Sequence, residues 1–224
     1  MKAAVPTPAW ELEDRYFDYA ASAPPFPEAL AAQAEAARKW FGNPSAGHGP
    51  GRSARAEMER LRGLLAARCG FTDGRLVLMS GATEANNWVV HTVMRVTDAG
   101  RVLLAEDVHA SLWNACRHYD TRTDVLPLDR RGRITLPALT AAIRSDTRLV
   151  CCSHVANETG IIQDAGAIAA VCERRGISCH MDGAQALGHI PVNLSMIACD
   201  FYAFAAHKFG GPRGCGGVFS RSAL

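Results

Sequence analysis

From Leu76 onward the chain alternates short apolar runs with stretches of helical length, and that alternation restricts its fold more than any other feature. The runs Leu76–Met79, Val102–Ala105, Thr123–Leu126, Leu149–Ser153 and Ser178–Asp182 read as strands. Thr83–Val96, Ser111–Tyr119, Leu136–Ile143 and Ala165–Arg175 read as the helices between them. Strands separated by helices run mainly parallel, and the helices then cover both faces of the sheet. Two further strands, at Asp200–Ala205 and Gly216–Ser220, bring the sheet to about seven. The expectation is an α/β domain built on a mainly parallel seven-stranded sheet.

Ahead of this block, residues 1–15 read as an irregular arm and residues 16–224 as one domain. Glu28–Trp40 reads as a helix ending near Gly42-Asn43-Pro44, and a glycine-rich loop runs from Asn43 to Gly51. Arg52–Cys69 carries Met58, Leu61, Leu64 and Leu65 at helical spacing with charges opposite, an amphipathic helix stopped by Gly70. With 224 residues, 48% of them hydrophobic, the chain is long enough for one sizeable core. Its 24 basic and 22 acidic residues are interspersed, so no basic stripe argues for nucleic acid. No apolar run approaches a signal peptide or a membrane span, which points to the cytoplasm. Eight cysteines without a CxxC spacing read as reduced, buried thiols and give no metal site.

In open α/β sheets ligands bind outside the carboxyl ends of the strands, so the polar residues just past each strand are the candidates. After the first comes Ser80-Gly81-Ala82-Thr83, a turn opening a helix whose free N–H groups suit a phosphate, or a plain helix cap. After the second comes His109, a stacking platform, a general acid or base, or a loop histidine. Asn157 follows the fourth as a ligand amide or a turn amide. Asp182 ends an apolar strand, where it needs a hydrogen-bonding or cationic partner such as a protonated pyridine nitrogen, unless it caps the next turn. Last comes Lys208, between an aromatic strand and Gly210-Gly211-Pro212-Arg213-Gly214. It is either a surface lysine or an amine desolvated for imine chemistry.

Taken together, Gly81-Ala82-Thr83-Glu84-Ala85-Asn86-Asn87, Asn157-Glu158-Thr159-Gly160, Asp182-Gly183-Ala184-Gln185 and His207-Lys208-Phe209-Gly210-Gly211-Pro212-Arg213-Gly214 resemble the cysteine desulfurases of the class V aminotransferase group. Tyr16-Phe17-Asp18-Tyr19-Ala20-Ala21-Ser22-Ala23-Pro24 and Phe41-Gly42-Asn43-Pro44-Ser45 resemble them too, so the likeness runs from about Tyr16 to Arg221. It implies the large domain of a fold type I pyridoxal 5'-phosphate enzyme. In it Lys208 forms the Schiff base with the cofactor, Asp182 pairs with the pyridine nitrogen, and His109 stacks on the ring and moves protons. Ala82 falls in the cofactor-binding turn, Thr83 and His207 hold the phosphate, Gln185 bonds the phenolic oxygen, and Asn157 lies near cofactor and substrate carboxylate.

The implied reaction converts L-cysteine to L-alanine and passes the sulfur on as a persulfide, as in iron–sulfur cluster assembly. The implied partners are a second copy of the chain and a sulfur-acceptor protein. Two residues depart from the family pattern: Ala205 replaces a phosphate-binding Ser, and Ala156 a frequent second Asn. The family also continues into a small C-terminal domain bearing the nucleophilic cysteine and a carboxylate-binding arginine, so the expectation is a chain truncated before that domain. Cys215, entering a strand, reads as core and not as that nucleophile. The competing readings are a cofactor-binding subunit completed by a separate C-terminal polypeptide, an inactive scaffold, and another class V reaction such as transamination or a lyase step.

Overall fold

The computed structural model describes residues 16–97 and 99–221; the expected arm at residues 1–15 lies outside them. Seven strands form one sheet, β1 (Arg75–Met79), β2 (Arg101–Ala105), β3 (Thr123–Leu126), β4 (Thr147–Ser153), β5 (Ser178–Asp182), β6 (Phe201–Ala205) and β7 (Gly216–Ser220). Across the sheet they lie in the order β1-β7-β6-β5-β4-β2-β3. β2 pairs in parallel with β3 and β4, β4 with β5, and β5 with β6. β7 alone runs against its neighbours, antiparallel to both β6 and β1. Every other step between consecutive strands passes through a helix, which carries the chain back to start a parallel strand. Between β6 and β7 there is only a short helical turn at Ala206–Lys208 and a glycine-rich loop, so the chain doubles back beside itself. The candidate lysine sits in that reversal.

The helices are α1 (Pro27–Lys39), α2 (Gly49–Arg68), α3 (Ala82–Val96), α4 (Ala110–Arg117), α5 (Leu136–Ala142), α6 (Ala165–Arg174) and the short α7 (Leu194–Ile197). α3 packs on α4 and on the β4–β7 half of the sheet, while α6 packs on β5, α5 and α7. Both faces of the central strands are therefore covered. β6 and β7 are buried at every residue, and β4 and β5 at all but one, so none shows the buried and exposed alternation of a strand with one solvated face. The core is continuous from Phe71 and Leu76 through Leu103, Leu104, Leu149 and Met181 to Tyr202 and Phe219.

α1 and α2 behave differently. α1 has no buried residue, and α2 buries only Gly51 and Ala54. The apolar stripe expected on α2 touches the core at Leu65, whereas Leu61 and Leu64 are 45% and 47% exposed. The helical period was correct, but no described residue covers most of that face.

One close approach ties the candidate site to the core. Gly183, immediately after Asp182, lies so near the Tyr202 ring that an added Cβ would fall 2.0 Å from Cε1 and 2.2 Å from Cζ. Tyr202 is itself fixed, because its hydroxyl is hydrogen-bonded to Nδ1 of buried His154 at 2.8 Å. Gly183→Ala is therefore expected to cost about 1–3 kcal/mol of stability in urea unfolding, by overpacking. In a Tyr202→Leu background, which removes the ring, most of that penalty should disappear.

Candidate active site

The carboxyl ends of the parallel strands open onto a cavity of about 550 Å³, within the size range of small-ligand sites. Each residue singled out in the sequence lines it. Ala82 and Thr83 come from the start of α3, His109 from the turn after β2, and Asn157 from the loop after β4. Asp182 and Gln185 follow β5, and His207 and Lys208 follow β6. Ser22 and Arg213, which sequence reasoning did not single out, also reach the cavity.

At one wall, α3 begins without a capping side chain on Gly81, so its first N–H groups have no side-chain acceptor. The first-turn carboxylate, Glu84, does not line the cavity and accepts from Ser80 N and Ser80 Oγ, each at 2.7 Å. Thr83, His207 and Arg213 bring donors to the same cavity. His207 is pushed below the usual imidazole range by burial and by the neighbouring Lys208 and Arg213 cations. An anion fits this wall, since the N–H groups and the dipole of the helix end favour negative charge. Ala205, at the end of β6, is buried and presents only a methyl group to it.

Asp182, at the end of β5, is only 5% exposed and lines the same cavity, yet no cation among the described residues pairs with it. Its Oδ2 accepts from Asn86 Nδ2 at 2.7 Å and its Oδ1 from Ala184 N at 3.0 Å. Two neutral donors leave a buried carboxylate short of compensation, and it lines the cavity. A cationic N–H on a ligand would supply what is missing.

Lys208 lines the cavity as well. Burial pushes its amine below the usual lysine range, against the opposing pull of Asp182 and Asp18. Its Nζ donates to the carbonyls of Ala20 at 2.6 Å and Ala21 at 3.1 Å, and Gln185 Nε2 donates to the same Ala20 oxygen at 2.7 Å. Lys208 is one of only three lysines in the sequence, with Lys2 and Lys39. His109 is the N-cap of α4, its Nδ1 accepting from Ser111 N at 3.1 Å.

All eight cysteines are free thiols and seven are buried. Cys215 is exposed, which corrects its reading as a core residue. It lies between Gly214 and the first residue of β7, and the reversal there leaves its side chain outside the packed sheet. No cysteine lines the cavity.

Residues 15–224 match the family model described as "Aminotransferase class-V". Among relatives, a "Cysteine desulfurase IscS" of Dictyoglomus turgidum is 32% identical over 211 residues, which cover 92% of this chain and 54% of the relative. The human "Cysteine desulfurase" is 32% identical over 225 residues, covering 98% of this chain and 49% of the relative. A solved structure titled "NIFS-LIKE PROTEIN" superposes with a TM-score of 0.87 at 28% identity, over 93% of this chain and 59% of that one. Another, titled "SspA in complex with cysteine", gives 0.86 at 28% identity, over 93% and 61%. The chain spans about half the length of the relatives it matches.

Behind Asp182, burial pushes His180 from the ordinary 6.5 to about 4, so the folded protein keeps it neutral. As pH falls the unfolded chain takes up this proton first. The stability His180 contributes is therefore complete above about pH 6.5 and is lost on the way down to about pH 4, up to roughly 3 kcal/mol. His154, also lowered by burial, adds in the same direction. Unfolding free energy measured across this window should fall with acid, and His180→Gln should flatten the slope.

Proposed function

This chain belongs to the class V aminotransferase family, and from that membership we propose that it binds pyridoxal 5'-phosphate and acts on L-cysteine as a desulfurase. The observation that carries the reading is the placement of one amine, one buried unpaired carboxylate and one uncapped helix end on a single cavity. These match the cofactor's three distinct ends, an aldehyde carbon, a ring nitrogen and a phosphate.

When bound, the cofactor supplies an electron sink for charge developing at the substrate Cα. Lys208 Nζ is the attachment point and the group that moves a proton at that carbon, for which its lowered basicity suits it. Asp182 holds the ring N–H and keeps it protonated, and Gln185 holds the phenolic oxygen. Ala82, Thr83 and His207 hold the phosphate. His109 covers the ring and donates or receives protons near it, and Asn157 orients the substrate carboxylate. The last step, attack on the substrate sulfur, needs a thiolate.

No cysteine of this chain lines the cavity, and this favours keeping a second reading open: the thiol comes from another polypeptide segment, or the chemistry is a class V reaction that needs none. Exposed Leu61 and Leu64 on α2 suit a homodimer, and the free thiols suit a reducing cytoplasm. No helix among the described residues is long and apolar enough to cross a membrane. A sulfur-acceptor protein is the expected partner of the full reaction.

Two outcomes are expected. Incubation with pyridoxal phosphate should give an absorbance band near the violet edge of the visible, and borohydride should fix the cofactor to the Lys208 peptide alone among the three lysines. A colourless protein, or equal labelling of Lys39, would contradict the reading. Ala205→Ser should return a hydroxyl to the phosphate wall and tighten cofactor binding about two- to tenfold, read from fluorescence titration.

A further inference from the structure

Behind the cavity wall, three side chains that do not line the cavity connect the two groups that would meet the cofactor's ring. Asn86 and His180 are completely buried and Ser111 is 6% exposed. They come from α3, β5 and the first turn of α4. Asn86 Oδ1 lies 2.8 Å from His180 Nε2, while Asn86 Nδ2 reaches both Asp182 Oδ2 at 2.7 Å and Ser111 Oγ at 2.9 Å. Ser111 Oγ in turn lies 2.9 Å from His109 Nδ1.

Chemistry fixes the direction of each bond. An ionised carboxylate only accepts, so the amide nitrogen faces Asp182 and the amide oxygen faces His180. That oxygen needs a donor, which places the His180 proton on Nε2. The second amide hydrogen goes to Ser111 Oγ, whose own proton shares the single lone pair of His109 Nδ1 with Ser111 N–H. The same nitrogen accepts Ser111 N–H at 3.1 Å, so His109 carries its proton on Nε2.

We infer that Asn86 is a positioning residue: one buried amide holds the Asp182 carboxylate and, through Ser111, aligns the His109 ring. The inference rests on the proposed function for its purpose but not for its geometry. A packing role alone would be met better by an apolar side chain, since Asn86 lies on the face of α3 that buries Ala85, Val89, Val90 and Val93. Each polar atom of the amide is instead spent on a group that leads to the cavity or braces one that does. Burial keeps the His180 ring neutral with a single proton, and the amide oxygen 2.8 Å from Nε2 draws that proton to Nε2.

The test uses the full chain with imidazole-15N histidine, observed by long-range proton–nitrogen NMR with and without pyridoxal phosphate. In the wild type, His180 and His109 should both show protonated Nε2 and bare Nδ1; an Nδ1 proton on either would overturn the inference without any variant. Ser111→Ala should move the His109 Nδ1 resonance and leave that of His180 in place, whereas Ser111→Thr should restore it. Asn86→Ala should move the His180 resonance and weaken pyridoxal phosphate about ten- to hundredfold. Unchanged histidine resonances and unchanged affinity in Asn86→Ala would overturn the inference. If Asn86→Ala does not fold, a His109 resonance unmoved in Ser111→Ala does so. Failure of the wild type to bind pyridoxal phosphate would remove the proposed function, and the histidine pattern would still decide this point.

Discussion

A carboxylate buried at the end of an apolar strand is costly unless its charge is met, and Asp182 is the point on which the rest of this structure turns. β5 delivers it to the floor of the cavity, with Gly183 leaving room for the Tyr202 ring behind it. Asn86 and the Ala184 amide give it hydrogen bonds but no countercharge. Lys208 feels the carboxylate, but its amine is bonded to the carbonyls of Ala20 and Ala21. An amine and a carboxylate thus line one cavity without forming an ion pair, the arrangement that a ligand with both an electrophilic carbon and a basic ring nitrogen would use.

The sheet makes this separation possible. Parallel strands aim all their carboxyl ends at one rim, and a single reversal between β6 and β7 lets a loop carrying Lys208 stand at that rim without a crossover helix. β7 then pairs with β1, which brings Gly216 against Gly81 so closely that a Cβ would lie 2.6 Å from its Cα. The start of α3 and the strand that follows the lysine loop are therefore held together by a close glycine–glycine approach.

Much of this was legible in the sequence because it is local. The runs Ser178–Asp182 and Gly216–Ser220 appear with the expected bounds. The strand-end rule gathered Thr83, His109, Asp182 and Lys208 onto one cavity before any contact was known. What escaped depends on distant partners. The direction of β7 follows from the missing helix before it, the exposure of Leu61 and Leu64 from what α2 does not touch, and that of Cys215 from the reversal. Asn86 was visible only as a polar residue on an apolar helix face, and its partners lie 25, 94 and 96 residues away.

The central claim, that Asp182 is placed to meet a cationic ring nitrogen, is tested most directly by comparing pyridoxal phosphate with its analogue in which that nitrogen is replaced by carbon. The wild type should bind pyridoxal phosphate about ten- to hundredfold more tightly than the analogue, and Asp182→Asn should lose most of that preference. The same ratio of dissociation constants in both proteins would contradict the account.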